Sequence, residues 1–487
     1  MNFPELARVA AVLAIAAGCS MPSAAAGPAE FGADTPLVDA LFAAWDRPGS
    51  PGCALAVSRN GDLIYSRGYG FANLDYGIPV SPQTVFDVGS VTKQFVAASI
   101  SLLELEGKLS FEDDVRRWLP ELPAYERPIR LRHMIHHTSG LRDYLTLFPL
   151  AGRDHYFPIS LAQILDMMSR QRALVFLPGE RSEYSNTAYM LLALVIERAS
   201  GLSLAEFAEQ RFFAPLGMDA SLMYDDYEAI IPRRATGYDR RGDDDIRMVH
   251  NFNFDVPGDG QLYTTVEDLL RWDQYLHGPE RPAIHALMLT PGTLDDGEPL
   301  GRARGLYLGE YRGLRTIHHT GSSWGSRSVL MRFVQPGVAI AIACNDGMAD
   351  TLALAYRVAD HYLADGLAPA GGDDGHEEDT ASEERPASIP LTLEQLGEFT
   401  GAFFSPELDA IYRFAVVDGG LVVRIEQEAP LEVIPIGDDR FWFSFSDQAY
   451  SGVVSASLAF RRGAGGAVAG FELGSGTEQG IIFERLQ

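Results

Sequence analysis

The sequence predicts an α+β protein. Its first part holds an antiparallel five-stranded sheet flanked by helices, with a helical region inserted between the strands. A small all-β, barrel-like domain follows. Three observations predict this. Strand-like runs stand at both ends of residues 27–365, and the stretch between them is mostly helical in period. An acidic, apolar-poor segment at 366–390 breaks the pattern. After it, residues 391–487 alternate apolar and polar side chains in short runs separated by turns.

Taken in order, residues 1–26 read as an export signal. Ala7 to Ala17 is apolar except for Arg8, too short to span a bilayer, and small residues follow. Two processing sites compete: "AAGC", ending at Cys19, resembles a lipoprotein box, and "AAA" at Ala24 to Ala26 suits ordinary signal peptidase. "GCALAVSRNGDLIYSRGYG" is a hairpin turning at Asn60-Gly61. "VTKQFVAASISLLELEGKL" is a helix with Gly107 as its stop. Ser110 with Asp113 and Ser203 with Glu206 have capping-box spacing. "RTIHHTG" and "SVLMRFVQPGVAIAIACN" supply three more strands, with a turn at Pro336-Gly337. In the tail, "AIYRFAVVDGGLVVRIE" is a hairpin about Asp418-Gly419, and no titratable constellation stands out there.

The 487 residues are 46% hydrophobic and 22% charged, enough for more than one core. A formal net charge of -27 repels nucleic acid and anionic lipid, which excludes those partners. Membrane contact is expected only through a lipid anchor, should Cys19 carry one. Cys19, Cys53 and Cys344 are too few for a disulfide framework.

Among 39 lysines and arginines only Lys93 and Lys108 are lysines. Lys93 follows Ser90 by three residues, which puts both side chains on one helix face. A serine hydroxyl needs a base to become a nucleophile. A lysine whose pKa is lowered by burial and a helix N-terminus can be that base, and an arginine cannot. Taken alone, the pair also reads as an N-cap serine and a solvated lysine. Further along, "EYSN" places Tyr184 and Asn186 together. A phenol near a cation can act as a base, and a carboxamide can hold a lysine and a substrate carbonyl at once. In "TIHHTGSSWG", the strand carrying His319 and Gly321 leaves an edge for an extended substrate, and Gly321 permits close backbone approach. The Ser322 amide can join that of Ser90 as an oxyanion hole.

The order S-x-x-K, Y-x-N, H-x-G, with "HHTSGLRDY", "LPGERSEYSNTAY", "FFAPLGMDAS" and "GDGQLYTTVEDLLRW", resembles the serine beta-lactamase and penicillin-recognising hydrolases, in their class C, esterase and D-aminopeptidase-like branch. The resemblance covers Thr35 to Leu363. It implies acyl-enzyme chemistry without a cofactor: Ser90 as nucleophile, Lys93 as activator, Tyr184 as base and proton relay, and Asn186 orienting the substrate. Beta-lactamases carry a lysine where this chain has His319. The resemblance therefore implies hydrolysis of a small ester, amide or peptide, D-amino-acid peptides included, ahead of beta-lactams. Arg327, just past the motif, is a candidate cation for a substrate carboxylate, although a surface ion pair is the preferred reading. His133, His136 and His137 read as structural, because no carboxylate completes a metal site. Phe252 and Phe254 of "NFNFD" are candidate cleft walls. By the resemblance, the first and last strands are neighbours, which brings Cys53 and Cys344 together, either bonded or as the free thiols commoner on central strands. The rival readings are a cell-wall DD-peptidase, a beta-lactamase, and a non-catalytic module that binds peptidoglycan or a partner.

Overall fold

A computed structural model describes residues 35–153, 159–240, 245–249, 256–278, 282–369, 385–426, 429–447 and 452–487. The segment read above as an export signal, with Cys19, residues 370–384 of the expected linker and Asn251–Asp255 lie outside them.

The elements that build the first domain are α1 (Thr35–Leu41), β1 (Cys53–Arg59), β2 (Asp62–Tyr69), α2 (Lys93–Leu105), α3 (Tyr144–Leu150), α4 (Asn186–Ser200), α5 (Val266–His277), β3 (Arg302–Ala303), β4 (Leu306–Tyr311), β5 (Leu314–Ser323), β6 (Ser326–Phe333), β7 (Val338–Cys344) and α6 (Thr351–Tyr362). The sheet runs β3-β4-β5-β6-β7-β1-β2, with every pair antiparallel. Five of these strands are the ones expected from the sequence. The sheet is wider by β3 and β4, two short strands added at one edge.

The pleat separates two cores. Leu55, Val57, Ile340 and Ile342 face α1 and α6, where they meet Val38, Phe42 and Val358. Ala54, Ala56, Ala339, Ala341 and Ala343 face the helical side. These small side chains let α5 lie close against the centre of the sheet. On that side Phe95 of α2 stacks on Trp272 of α5, ring centroids 4.0 Å apart. Cys53 and Cys344 are register partners on β1 and β7, and a disulfide joins them.

Local signals resolve as the backbone requires. Asn60-Gly61 and Asp418-Gly419 both adopt positive φ, as a two-residue hairpin turn demands. The Ser203 capping box forms. The Ser110–Asp113 box makes the same kind of contact, Asp113 Oδ2 accepting from the Ser110 amide, yet it closes a turn and starts no helix.

The tail is a closed eight-stranded barrel: β8 (Gly401–Ser405), β9 (Ala410–Val417), β10 (Gly420–Ile425), β11 (Leu431–Gly437), β12 (Arg440–Asp447), β13 (Gly452–Arg462), β14 (Val468–Ser475) and β15 (Glu478–Arg485). Phe403, Tyr412, Phe414, Phe441, Phe460, Phe471 and Phe483 fill its interior with ring against ring. An eight-stranded barrel has an interior that side chains of this size can fill. Polar contacts tie it to the first domain. Arg142, 1% exposed, pairs with Glu407 at 3.3 Å and donates to the Gln479 carbonyl. Glu407 also accepts from the Arg172 amide, and Glu478 accepts from the Asp143 amide.

Removing one partner of a buried ion pair leaves the other uncompensated, at a cost of about 3 kcal/mol. Glu407→Gln is therefore expected to lower unfolding stability by about that much in urea titration, and a loss below about 1 kcal/mol would mean that Arg142 is held by its other partners.

Candidate active site

The turn that carries Ser90, the expected nucleophile, precedes α2. Gly89–Thr92 forms one turn of 3-10 helix and α2 continues from Lys93. The turn is pinned on three sides. The Val88 amide donates to the Leu262 carbonyl, the Leu262 amide donates to Thr92 Oγ1, and Ser328 Oγ donates to the Val88 carbonyl. Asp87 links the turn to the sheet, accepting from the Gly89 amide at 2.9 Å and from Ser323 Oγ at 2.5 Å.

Two glycines permit this closeness. A Cβ on Gly321 would lie 1.9 Å from the Val88 carbonyl oxygen, and one on Gly89 would lie 2.6 Å from that of Ser322. Gly89 also has φ of 50°, a left-handed value. The pairing of β4 with β5 ends at Tyr307↔His318. Among the described residues, that edge of β5 carries no strand from His319 onward, and it runs beside the Ser90 turn.

Ser90, Tyr184 and Asn186 are partly exposed above Lys93, which is fully buried. Lys93 Nζ donates to Ser90 Oγ at 2.9 Å, Asn186 Oδ1 at 3.0 Å and the Asp259 carbonyl at 2.7 Å. An ammonium has three protons, and all three are used. Burial lowers the Lys93 pKa to about 8, against the opposing pull of the Asp259 and Asp143 carboxylates. Roughly one molecule in ten then carries the free amine at pH 7. Burial acts the other way on Tyr184 and raises its phenol above the ordinary value, with a hydrogen bond to Ser90 opposing the shift. The two shifts run in opposite directions, the lysine toward its free amine and the tyrosine toward its protonated phenol, and both side chains bond the Ser90 hydroxyl.

Asn186 is fixed from behind. Asp143 Oδ2 accepts from its backbone amide at 2.7 Å and from Nδ2 at 3.2 Å. The Tyr184 ring stacks on His137 at 4.4 Å, and His137 Nδ1 accepts from the Ser185 amide. His319 lies 6.2 Å from the Tyr184 ring, centroid to centroid, and its Nδ1 bonds the Thr320 carbonyl. Burial and then Lys93 push its pKa down to about 3, so the imidazole is neutral. Arg327 Nη1 donates to the Ser326 and Ser323 carbonyls across the β5–β6 turn. Phe252 and Phe254 lie outside the described residues.

The structure thus brings Ser90, Lys93, Tyr184, Asn186, His319 and the backbone of Gly321 and Ser322 to one cleft. Sequence reasoning assigned no role to Asp143, Asp259 or Arg302. The first two lie inside "HHTSGLRDY" and "GDGQLY", stretches noticed for their likeness only. His133 and His137 are buried and His136 is half-buried, and burial lowers the pKa of all three. Among the described residues no group of three or more His, Cys, Asp or Glu could hold a metal.

Residues 37–363 match the family described as Beta-lactamase. The chain belongs to this family. It is 32% identical over 303 residues to penicillin-binding protein 4* of Bacillus subtilis, covering 57% of this chain and 64% of that one. It is 28% identical over 316 residues to a D-aminopeptidase of Gluconobacter oxydans, covering 63% and 58%. The chain thus spans somewhat less than two thirds of these curated relatives. The octameric penicillin-binding protein homologue from Pyrococcus abyssi shares the fold at TM-score 0.55 and 21% identity, covering 89% of this chain and 96% of that one.

Gly321→Ala must push β5 away from the nucleophile turn. The expected outcome is a fold that melts within a few degrees of the unsubstituted protein and a rate of acylation lowered about a hundredfold. Unchanged acylation would mean that the register of β5 against Val88 does not matter to the site.

Proposed function

We propose that the protein is a serine hydrolase that forms an acyl-enzyme at Ser90 on small ester, amide or peptide substrates, D-amino-acid peptides among them. The single observation that carries this is the buried Lys93 amine, 2.9 Å from Ser90 Oγ and with a pKa lowered to about 8. A fully buried lysine with one hydroxyl, one carboxamide and one carbonyl around it is costly to fold and suited to taking a proton.

The free Lys93 amine accepts the Ser90 proton as Oγ attacks the substrate carbonyl carbon. The substrate lies along the open edge of β5, and the amides of Ser90 and Ser322 receive the developing oxyanion. Collapse of the tetrahedral species expels an amine or alkoxide, which takes its proton from the Tyr184 phenol. The Lys93 ammonium returns its proton to the Tyr184 phenolate through a water, which regenerates amine and phenol. A second water then attacks the acyl carbon as the Lys93 amine takes its proton, and Ser90 Oγ leaves with that proton, releasing the acid. Asn186, with one N–H committed to Asp143, offers the other to a substrate carbonyl.

The relative named D-aminopeptidase supports a small amide or peptide substrate, and a neutral His319 favours substrates whose binding needs no strong cation there. The relative named penicillin-binding protein supports a second reading, a cell-wall DD-peptidase. Export follows from the N-terminal segment and agrees with a disulfide in the sheet, a bond typical of oxidising compartments.

Ser90→Ala is expected to abolish covalent labelling by a fluorophosphonate while leaving the circular dichroism spectrum unchanged. Labelling that survives would move the nucleophile elsewhere. With the unsubstituted protein, turnover of D-aminoacyl anilides or short acyl esters favours the first reading, and release of muropeptides from purified sacculi favours the second.

A further inference from the structure

Arg302 stands in this cleft without an assigned task. It lies on β3, whose register pairs it with Tyr307 of β4. Its guanidinium carbon is 4.9 Å from the Tyr307 ring centroid and 5.7 Å from that of Tyr184. Lys93 Nζ lies 4.9 Å from the same Tyr184 ring. Arg302 Nη1 is buried and has no hydrogen-bond partner, and no carboxylate among the described residues pairs with Arg302. Most arginines here that lie this close to the core are neutralised: Arg142 by Glu407, Arg240 by Asp346, Arg332 by Asp273 and Arg304 by Glu104. Arg302 is half-buried, and keeping its Nη1 out of water with no counter-ion costs stability; such costs concentrate where a field is used.

The field of Arg302 falls on Tyr184. The other groups around that ring are Ser90 and Lys93 from the nucleophile turn and α2, His137 stacked on it, Tyr189 of α4, His319 of β5, and Tyr307 beneath the guanidinium. His137 and His319 are both held neutral, chiefly by burial. Asp143 and Asp259 are the acidic neighbours, and both oppose ionisation of the phenol. Lys93 and Arg302 are thus the two cations that face it.

We infer that Arg302 is a positioning residue for proton transfer, its fixed charge stabilising the Tyr184 phenolate that forms while the leaving group is being protonated. The inference rests on the hydrolase reading above. Arg302 acts through Tyr184 and touches no reacting atom. A nearby positive charge favours the deprotonated form of the coupled Tyr184–Lys93 pair, whichever of the two holds the remaining proton. Its loss must therefore move the acid limb of the pH–rate profile upward.

The test compares the unsubstituted protein with Arg302→Gln, Arg302→Met and Arg302→Lys, following the second-order rate of fluorophosphonate labelling and kcat/KM on a chromogenic acyl ester from pH 5 to 10. Two neutral variants are made, so that misfolding of one leaves the other. Both are expected to lose about tenfold in rate at pH 7 and to shift the acid limb up by about half a pH unit or more. Arg302→Lys is expected to keep the limb near its original place. A limb that stays put in the neutral variants, with rates lowered equally at every pH, would reduce Arg302 to a packing residue and overturn the inference. If the unsubstituted protein neither labels nor turns over, the hydrolase reading fails first and takes the inference with it. A labelled protein with an unmoved limb sinks the inference alone.

Discussion

An amine buried against a hydroxyl is the constraint around which the rest of the molecule is arranged. A lysine side chain in water has no reason to surrender its proton. Inside this domain Lys93 is stripped of water by α2, α4 and the loop before α5, and it is given three acceptors and no carboxylate at contact distance. The nearest carboxylates, Asp143 and Asp259, act from behind intervening groups. One binds Asn186, and the other offers Lys93 its carbonyl and not its side chain. Their charge keeps the ammonium tolerable, while desolvation keeps it easy to discharge. The Asp259 carboxyl is itself pushed up to about 6 by burial, with Lys93 opposing, so burial drives both groups toward neutrality while each favours the other's charged form.

Everything around that pair limits movement. The turn carrying Ser90 is tied to Leu262, Ser328 and Asp87, and β5 reaches it only because Gly89 and Gly321 lack side chains. The barrel contributes at a distance. Through Glu478 and Glu407 it holds the backbone of Asp143 and the side chain of Arg142, one residue pair removed from Asn186. Its own interior is solid aromatic packing, so its contribution to the hydrolase domain is an outer face and not a cavity.

Much of this was legible in the sequence, and the reason is locality. Ser90 and Lys93 are one helical turn apart, so their meeting follows from backbone geometry alone. The five long strands declare themselves by alternation and by turns such as Asn60-Gly61. The tail's barrel follows from the same signals. What escaped were residues whose role exists only in three dimensions. Asp143 and Asp259 meet Lys93 from segments 50 and 166 positions away along the sequence. Arg302 sits on a two-residue strand with no period to detect. β4 goes unread because Gly309 and Glu310 interrupt its apolar residues and no alternating pattern results. The Ser110–Asp113 box had the right letters, but no helix followed to be capped. The Cys53–Cys344 pairing was expected from the neighbouring strands, and whether the sulfurs bond is not written in spacing.

Because the chain has only two lysines, the central claim can be read on one atom. Protein labelled with 15N at lysine Nζ should give two ammonium signals, and Lys108→Arg assigns them. The account predicts that Lys93 titrates at about 8 and that the transition is lost when Ser90 is phosphonylated. A Lys93 signal that titrates near the ordinary lysine value of about 10.4 would contradict it, because the amine would then be an unfit base for Ser90.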